Sequence, residues 1–265
     1  GGLAVEVVRG GEIDAAMAQV ALPELRRHGY AGGLSTAALA AGGTLGILIP
    51  PSVLLVVYGI LTEQDIGALF AAGIVPGILG IFLYGAAVVL VAHFAPDKAP
   101  AGERSSWAVR FKSLKGVMGV GMLFGVIMVG IYGGVFTPTE AAGIGAVGAF
   151  FIALFSGEFS WAIFKDAVID TVLTTSVMFT LVIGAIVFTN FVNIAGFSQS
   201  ISSLITHYDP SPMMIILALV VVYLILGCFL ESLSMILLTI PVFYPIIAGA
   251  GFDLVWFGIF VVILV

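Results

Sequence analysis

The chain has 265 residues, of which 61% are hydrophobic and only 9% charged, whereas a soluble domain usually carries about 25% charged residues. That balance excludes a soluble fold of this size, and repeated apolar stretches near the roughly 20 residues needed to cross hydrocarbon indicate an all-α polytopic membrane protein. The net charge of −6 sits almost wholly in short connecting segments, and the single cysteine, Cys228, excludes a disulfide within the chain and any metal cluster built on cysteine.

The sequence opens GGLAVEVVRGGEID, without an initiating Met, a basic head or an apolar core of signal length. It reads as a piece of a longer protein. Apolar spans follow at Leu34 to Tyr58, Ile66 to Phe94, Gly116 to Phe136, Thr139 to Phe155, Ala167 to Phe191, Met213 to Leu230, Leu233 to Ala248 and Leu254 to Val265.

The first span holds the stretch GGTLGILIPPS, Gly42 to Ser52. A proline inside a helix removes one hydrogen bond and clashes with the preceding turn, at about 3 kcal/mol or more. Two in succession, Pro50 and Pro51, force an unwound segment, and non-helical backbone survives in lipid only where it is buried in protein or lines a cavity. Gly42, Gly43 and Gly46 allow another backbone or an ion to come close. Freed carbonyls together with the hydroxyls of Thr44 and Ser52 are hard oxygen donors suited to a small cation, while half-helix N-termini suit an anion. A site therefore outweighs a plain kink lubricated by glycine. Residues 43 to 52 are expected to be non-helical and to face residues 230 to 234 across a polar cavity.

Lys and Arg favour cytoplasmic loops. Five of the nine, Lys98, Arg104, Arg110, Lys112 and Lys115, fall in the loop 95 to 115. Arg26, Arg27 and Lys165 mark further connections on the same side, and the intervening loops carry none, so the sides alternate span by span. In FTPTEAAGIG, Thr137, Pro138 and Glu140 have the spacing of a capping box with proline at the first helical position. Gly143, Gly145 and Gly148 then permit close helix packing. Between Glu158 and Asp170, EFSWAIFKDAVID fits either an amphipathic surface helix anchored by Trp161 or the plain start of the next span.

Met213 to Ala248 is interrupted by LESLS. Both arms are short for full spans and the turn carries no basic residue, so a re-entrant hairpin with its tip at residues 230 to 234 fits better than two tilted spans. A carboxylate at bilayer depth is functional by default. Glu231, with Ser232 and Ser234, suits a sodium site or a protonation step, unless it lies in a wet turn. No H-E-x-x-H, G-x-S-x-G or phosphate loop is present, so no enzyme activity is expected.

An internal repeat relates LPELRRHGYAGGL (Leu22 to Leu34) to YPIIAGAGFDLVW (Tyr244 to Trp256): Pro23 falls on Pro245, Gly29 on Gly251 and Tyr30 on Phe252. The basic-loop pattern puts the two turns on opposite sides, as inverted repeats require. In the same register the hairpin tip falls on Val8 to Glu12 and Val265 falls on Gly43. The organisation is thus a first-repeat part at 1 to 94, a basic cytoplasmic loop at 95 to 115, further spans at 116 to 191, which the family resemblance given below implies to be scaffold, and a second-repeat part at 192 to 265.

ALPELRRHGY, AAGGTLGILIPPSVLLVVYGILTEQDIGALFAAGIVPGIL, GGVFTPTEAAGIGA and PVFYPIIAGAGFDLVWFGI, in this order, resemble the large membrane subunit of tripartite ATP-independent periplasmic (TRAP) transporters, over about Ala21 to Val265. The resemblance implies a sodium-coupled importer of small organic acids, with inverted repeats of re-entrant hairpins and proline-broken helices working as an elevator in the bacterial inner membrane. It implies a periplasmic solute-binding protein and a small membrane subunit as partners besides membrane lipid, no cofactor beyond the coupling sodium ion, and no nucleic acid. The family's core sites map to Gly43, Thr44, Gly46, Pro50, Pro51 and Ser52 in the broken helix, and to Glu231, Ser232 and Ser234 at the second hairpin tip. Sodium candidates among them are Gly43, Thr44, Gly46, Ser232 and Ser234. Two departures stand out: Arg9, Glu12 and Asp14 replace the small residues of the family's first tip, and Glu231 and Ser232 stand where an Asp-Pro pair is expected. Residues 1 to 265 alone are not expected to transport.

Overall fold

The computed structural model describes residues 21–100, 106–157, 159–196, 200, 203, 208 and 210–265. The expected first hairpin tip, with Arg9, Glu12 and Asp14, lies outside them. Among the described residues the secondary structure is helical without strands. The described residues fall into two compact units, one of residues 21–100, 203, 208 and 210–265, the other of residues 106–157, 159–196 and 200.

The larger unit contains α1 (Gly32–Leu48), α2 (Val53–Thr62), α3 (Ile66–Phe94), α7 (Pro212–Gly227), α8 (Ser232–Gly249) and α9 (Leu254–Leu264). Its core is built where α2, α8 and α9 meet: Leu55, Tyr58, Met235, Ile236, Ile247 and Phe257 are fully buried. Tyr58 donates to the carbonyl of Leu254 at 2.6 Å and meets Phe257 edge-on at 6.4 Å. Tyr223 and Thr239, both buried, share a hydroxyl contact of 2.7 Å that ties α7 to α8. A buried hydroxyl needs such a partner when water is absent.

Several helices start where a short polar side chain caps them. Asp65 accepts from Ala68 N at 2.7 Å ahead of α3, and Asp253 from Trp256 N at 2.7 Å ahead of α9. The 29 residues of α3 extend about 44 Å at 1.5 Å each, beyond a hydrocarbon core of about 30 Å. Most of its outward positions, including Val75, Phe82 and Leu83, are apolar and exposed, as lipid-facing residues are.

The turn before α1 recurs before α9 in constant register. His28 N bonds Glu24 O at 3.1 Å and Ala250 N bonds Ile246 O at 3.0 Å. Gly29 N reaches Arg26 O as Gly251 N reaches Ala248 O, and Tyr30 N reaches Leu25 O as Phe252 N reaches Ile247 O. Gly29 and Gly251 both have φ +78, and Gly32 and Leu254 each open the next helix. The repeat in the sequence is therefore a repeat of backbone. Because an L side chain is disfavoured at that φ, Gly29→Ala and Gly251→Ala should each cost about 1–2 kcal/mol. Pro100 comes no nearer than 3.5 Å to an added Cβ at Gly29 and nothing lies within 4 Å at Gly251. The two losses should thus match in denaturation of the detergent-solubilised protein, and a cost at one turn alone would break the equivalence.

The smaller unit contains α4 (Trp107–Tyr132), α5 (Pro138–Phe155) and α6 (Trp161–Ile194). The capping box forms as its spacing indicates. Thr137 N donates to Glu140 Oε2 at 2.8 Å, and Glu140 N donates to Thr137 Oγ1 at 3.3 Å. Gly145 and Gly148 pack against Ile127 and Leu123 of α4, whereas nothing lies within 4 Å of a Cβ at Gly143. Of the two readings of the segment around Trp161, the structure takes the second. From Trp161 onward it is one uninterrupted helix of 34 residues, because neither proline nor glycine separates Trp161 from Gly184. Glu158 lies outside the described residues.

Candidate functional site: the broken helix and the hairpin tip

Pro50 and Pro51 lack the N–H groups that would continue α1, so the carbonyls of Gly46 and Ile47 lose their helical donors. A proline also drives the residue before it out of the helical region. Ile49 is accordingly extended, at φ −79 and ψ 123, and its N–H makes the last bond of α1, to Leu45 O at 3.0 Å. The Pro50–Pro51 peptide is cis.

This corrects the expected extent of the break. Gly43, Thr44 and Gly46 are helical, and the interruption is confined to the four residues between Leu48 and Val53. The reason is local: glycine costs a helix only about 1 kcal/mol, and N–H groups up to Ile49 still find carbonyls behind them.

Ser52 bridges the interruption. Its hydroxyl donates to Ile47 O, replacing the donor missing at Pro51, and accepts from Leu55 N at 3.3 Å as the cap of α2. At 2% exposure it has no contact with solvent to substitute for these partners. The Gly46 carbonyl is different. Among the described residues no donor replaces the one that Pro50 lacks, and a Cβ at Gly46 would meet nothing within 4 Å. A carbonyl without its helical donor thus lies in the last turn of α1, at an exposed glycine two residues after Thr44. Thr44 is itself exposed, with Oγ1 donating to Ala41 O at 2.9 Å.

The glycines that allow close packing here are mostly on the neighbouring helix. A Cβ at Gly73 would come within 3.0 Å of Leu48 O, one at Gly77 within 2.9 Å of Ile49, and one at Gly80 within 2.5 Å of Leu45. One face of α3 is therefore the bed on which the end of α1 rests. The spacing Gly73, Gly77, Gly80 within the span Ile66 to Phe94 carried that signal, and motif reading centred on the prolines passed over it.

At the hairpin tip Glu231 is the N-cap of α8. Its carboxylate accepts from Leu233 N at 3.1 Å, Ser234 N at 3.3 Å and Ser234 Oγ at 3.0 Å. The amides at this helix start are thereby met by the protein's own anion. Ser232 Oγ donates to Val265 O at 3.1 Å. Among the described residues no hydrogen bond joins residues 43 to 52 to residues 230 to 234; the tip reaches instead the end of α9, and Val265 is the residue that the repeat sets on Gly43. Among the described residues no group of three His, Cys, Asp or Glu could hold a metal, so a cation here would depend on backbone and hydroxyl oxygens. A separate cavity of about 730 Å³ in the smaller unit is walled by Leu123, Val135, Phe136, Ile144 and Val147. Its one charged lining residue, Glu140, is committed to the helix cap, so it offers no convergent polar groups for an acid.

The family description "Tripartite ATP-independent periplasmic transporter, DctM component" matches residues 14–265. The chain belongs to that family. It is 34% identical over 257 residues to the C4-dicarboxylate TRAP transporter large permease protein DctM of Pseudomonas aeruginosa, covering 94% of this chain and 58% of that protein. It is 33% identical over 258 residues to the isethionate TRAP transporter permease protein DctMQ of Oleidesulfovibrio alaskensis, covering 94% and 39%. With the sialic acid TRAP transporter large permease protein SiaM of Vibrio cholerae it shares 34% over 238 residues, covering 88% and 54%. The chain therefore spans about half the length of the curated relatives it matches. These relatives are named as transporter permeases and not as enzymes, and among the described residues of this TRAP family member five helical stretches are long and apolar enough to cross a membrane.

Proposed function

We propose that this chain is the core of the large membrane subunit of a sodium-coupled importer of small organic acids. The observation that carries the reading is the interruption between α1 and α2, where two prolines leave the Gly46 carbonyl without its helical donor, in the same exposed stretch of helix as the Thr44 hydroxyl. Backbone irregular at membrane depth is tolerated where it lines a cavity or a site. Of the substrates in the relatives' names, a C4-dicarboxylate, isethionate and sialic acid are anions and ectoine is a zwitterion that still carries a carboxylate, which supports a small cargo with an acidic group moved with a compensating cation.

In this reading the larger unit is the moving transport part and the smaller unit belongs to the scaffold. A periplasmic solute-binding protein delivers the acid, a small membrane subunit enlarges the scaffold, and the protein lies in the bacterial inner membrane with loop 95 to 115 cytoplasmic. The second reading is a different sodium- or proton-coupled anion carrier of related architecture. The full-length transporter, reconstituted in liposomes with its binding protein, should accumulate acid when sodium is high outside. Thr44→Val keeps the side-chain shape and removes the hydroxyl, so it should raise the sodium concentration for half-maximal uptake about tenfold. Uptake that ignores sodium but follows a proton gradient would favour the second reading.

A further inference from the structure

A hydroxyl that sequence motifs did not single out lies against Thr44. Tyr84 Oη is 3.3 Å from Thr44 Oγ1. Thr44 has one hydroxyl proton, and the 2.9 Å contact to Ala41 O uses it. The shared bond therefore has one polarity: the phenol donates and Thr44 Oγ1 accepts. A phenol is also the more acidic of the two hydroxyls, which favours the same direction.

The placement of Tyr84 follows from the bed of glycines. Gly73, Gly77 and Gly80 bring α3 against Leu48, Ile49 and Leu45 in turn. One turn further along, at Tyr84, α3 again faces α1, and a long side chain returns across the gap to Thr44. Apolar residues flank this tyrosine on both sides, Ile81 to Leu83 and Val88 to Val91. It is not at the end of the span, where tyrosines usually anchor at the membrane interface. A phenol at such a place needs a partner, and Thr44 supplies it.

We propose that Tyr84 is a positioning residue for the coupling cation: by donating to Thr44 Oγ1 it fixes that oxygen, so that its remaining lone pair is held ready for the ion. Tyr84 does not itself touch the ion. The inference rests on the sodium reading above and adds to it a residue outside the broken helix.

The test uses the full-length transporter in liposomes with its binding protein and a graded external sodium concentration. Tyr84→Phe keeps the ring and removes the donor. It should raise half-saturating sodium about two- to tenfold, the worth of one hydrogen bond. Uptake at saturating sodium and half-saturating acid concentration should stay within a factor of two, which a general packing defect would not leave intact. Thr44→Val should shift sodium dependence at least as far, and the double variant no further than Thr44→Val alone, because the bond can be lost only once. Unchanged sodium dependence in Tyr84→Phe overturns the proposal, as does reduced uptake at every sodium concentration, or additive shifts in the double variant. Sodium-independent uptake by the unaltered transporter would be seen before any variant is compared, and it overturns the coupling reading itself together with the role of Tyr84.

Discussion

Gly258→Val should leave the larger unit unable to fold, and Gly258→Ala should already lower its stability by about 2 kcal/mol or more. A Cβ at position 258 would lie 2.5 Å from Tyr58 Cε1, 2.8 Å from Tyr58 Cδ1 and 3.0 Å from Leu69 Cδ2. None of these neighbours can yield cheaply. Tyr58 and Leu69 are fully buried, and the tyrosine is held at its far end by the 2.6 Å bond to Leu254 O and along its edge by Phe257. Moving the ring would break that bond inside a region without water to replace it. Denaturation of the full-length protein in detergent reads the effect. The alanine variant should melt several degrees below the parent, and the valine variant should fail to give a monodisperse species. Parent-like melting of the valine variant would mean that α2 and α9 are not packed this way.

Ser52→Ala should cost about 2–4 kcal/mol, far more than an exposed serine or threonine in a helix. The substitution strands two groups at once. Ile47 O cannot be met by Pro51, and Leu55 N at the start of α2 has no carbonyl behind it. Ser52 is 2% exposed and Leu55 fully buried, and in hydrocarbon each unsatisfied backbone group is expensive. Thr36→Ala provides the comparison. Its hydroxyl also bonds backbone, to Gly32 O at 3.0 Å and Gly33 O at 3.1 Å, but those carbonyls belong to a regular helix, so its loss should stay within about 0.5 kcal/mol. Equal losses in the two variants would show that the hydroxyl of Ser52 does not bridge the half-helices.

The two expectations differ in how far each was legible in the residues. That the chain breaks near Pro50 and Pro51 follows from proline chemistry, which acts within one turn and needs no tertiary information. The same locality explains why the capping box at Thr137 and Glu140 formed as spaced, and why Gly29 and Gly251 adopt one conformation. The expected unwinding back to Gly43 overstated the reach of the prolines. Glu231 shows the opposite kind of limit: a lone acid in an apolar stretch invites a functional role, yet three residues of helix geometry suffice to make it a cap.

What the sequence by itself determined is the class of solvent, the rough bounds of the described apolar helices, the place of the break, the repeated turn and the family. Each rests on composition or on interactions within a few residues. Only the tertiary structure decided that Tyr58 reaches Leu254, that Gly73, Gly77 and Gly80 seat the end of α1, that Tyr84 meets Thr44 and that Ser232 meets Val265. In a soluble helix an apolar stripe would have marked the packed face. Here lipid-facing Val75 and Phe82 are as apolar as the buried Leu69 and Phe70 of the same helix, because lipid is as apolar as a protein core. The periodic contrast that points inward is thereby erased, and the partner of each hydroxyl and glycine is settled by which helices come together.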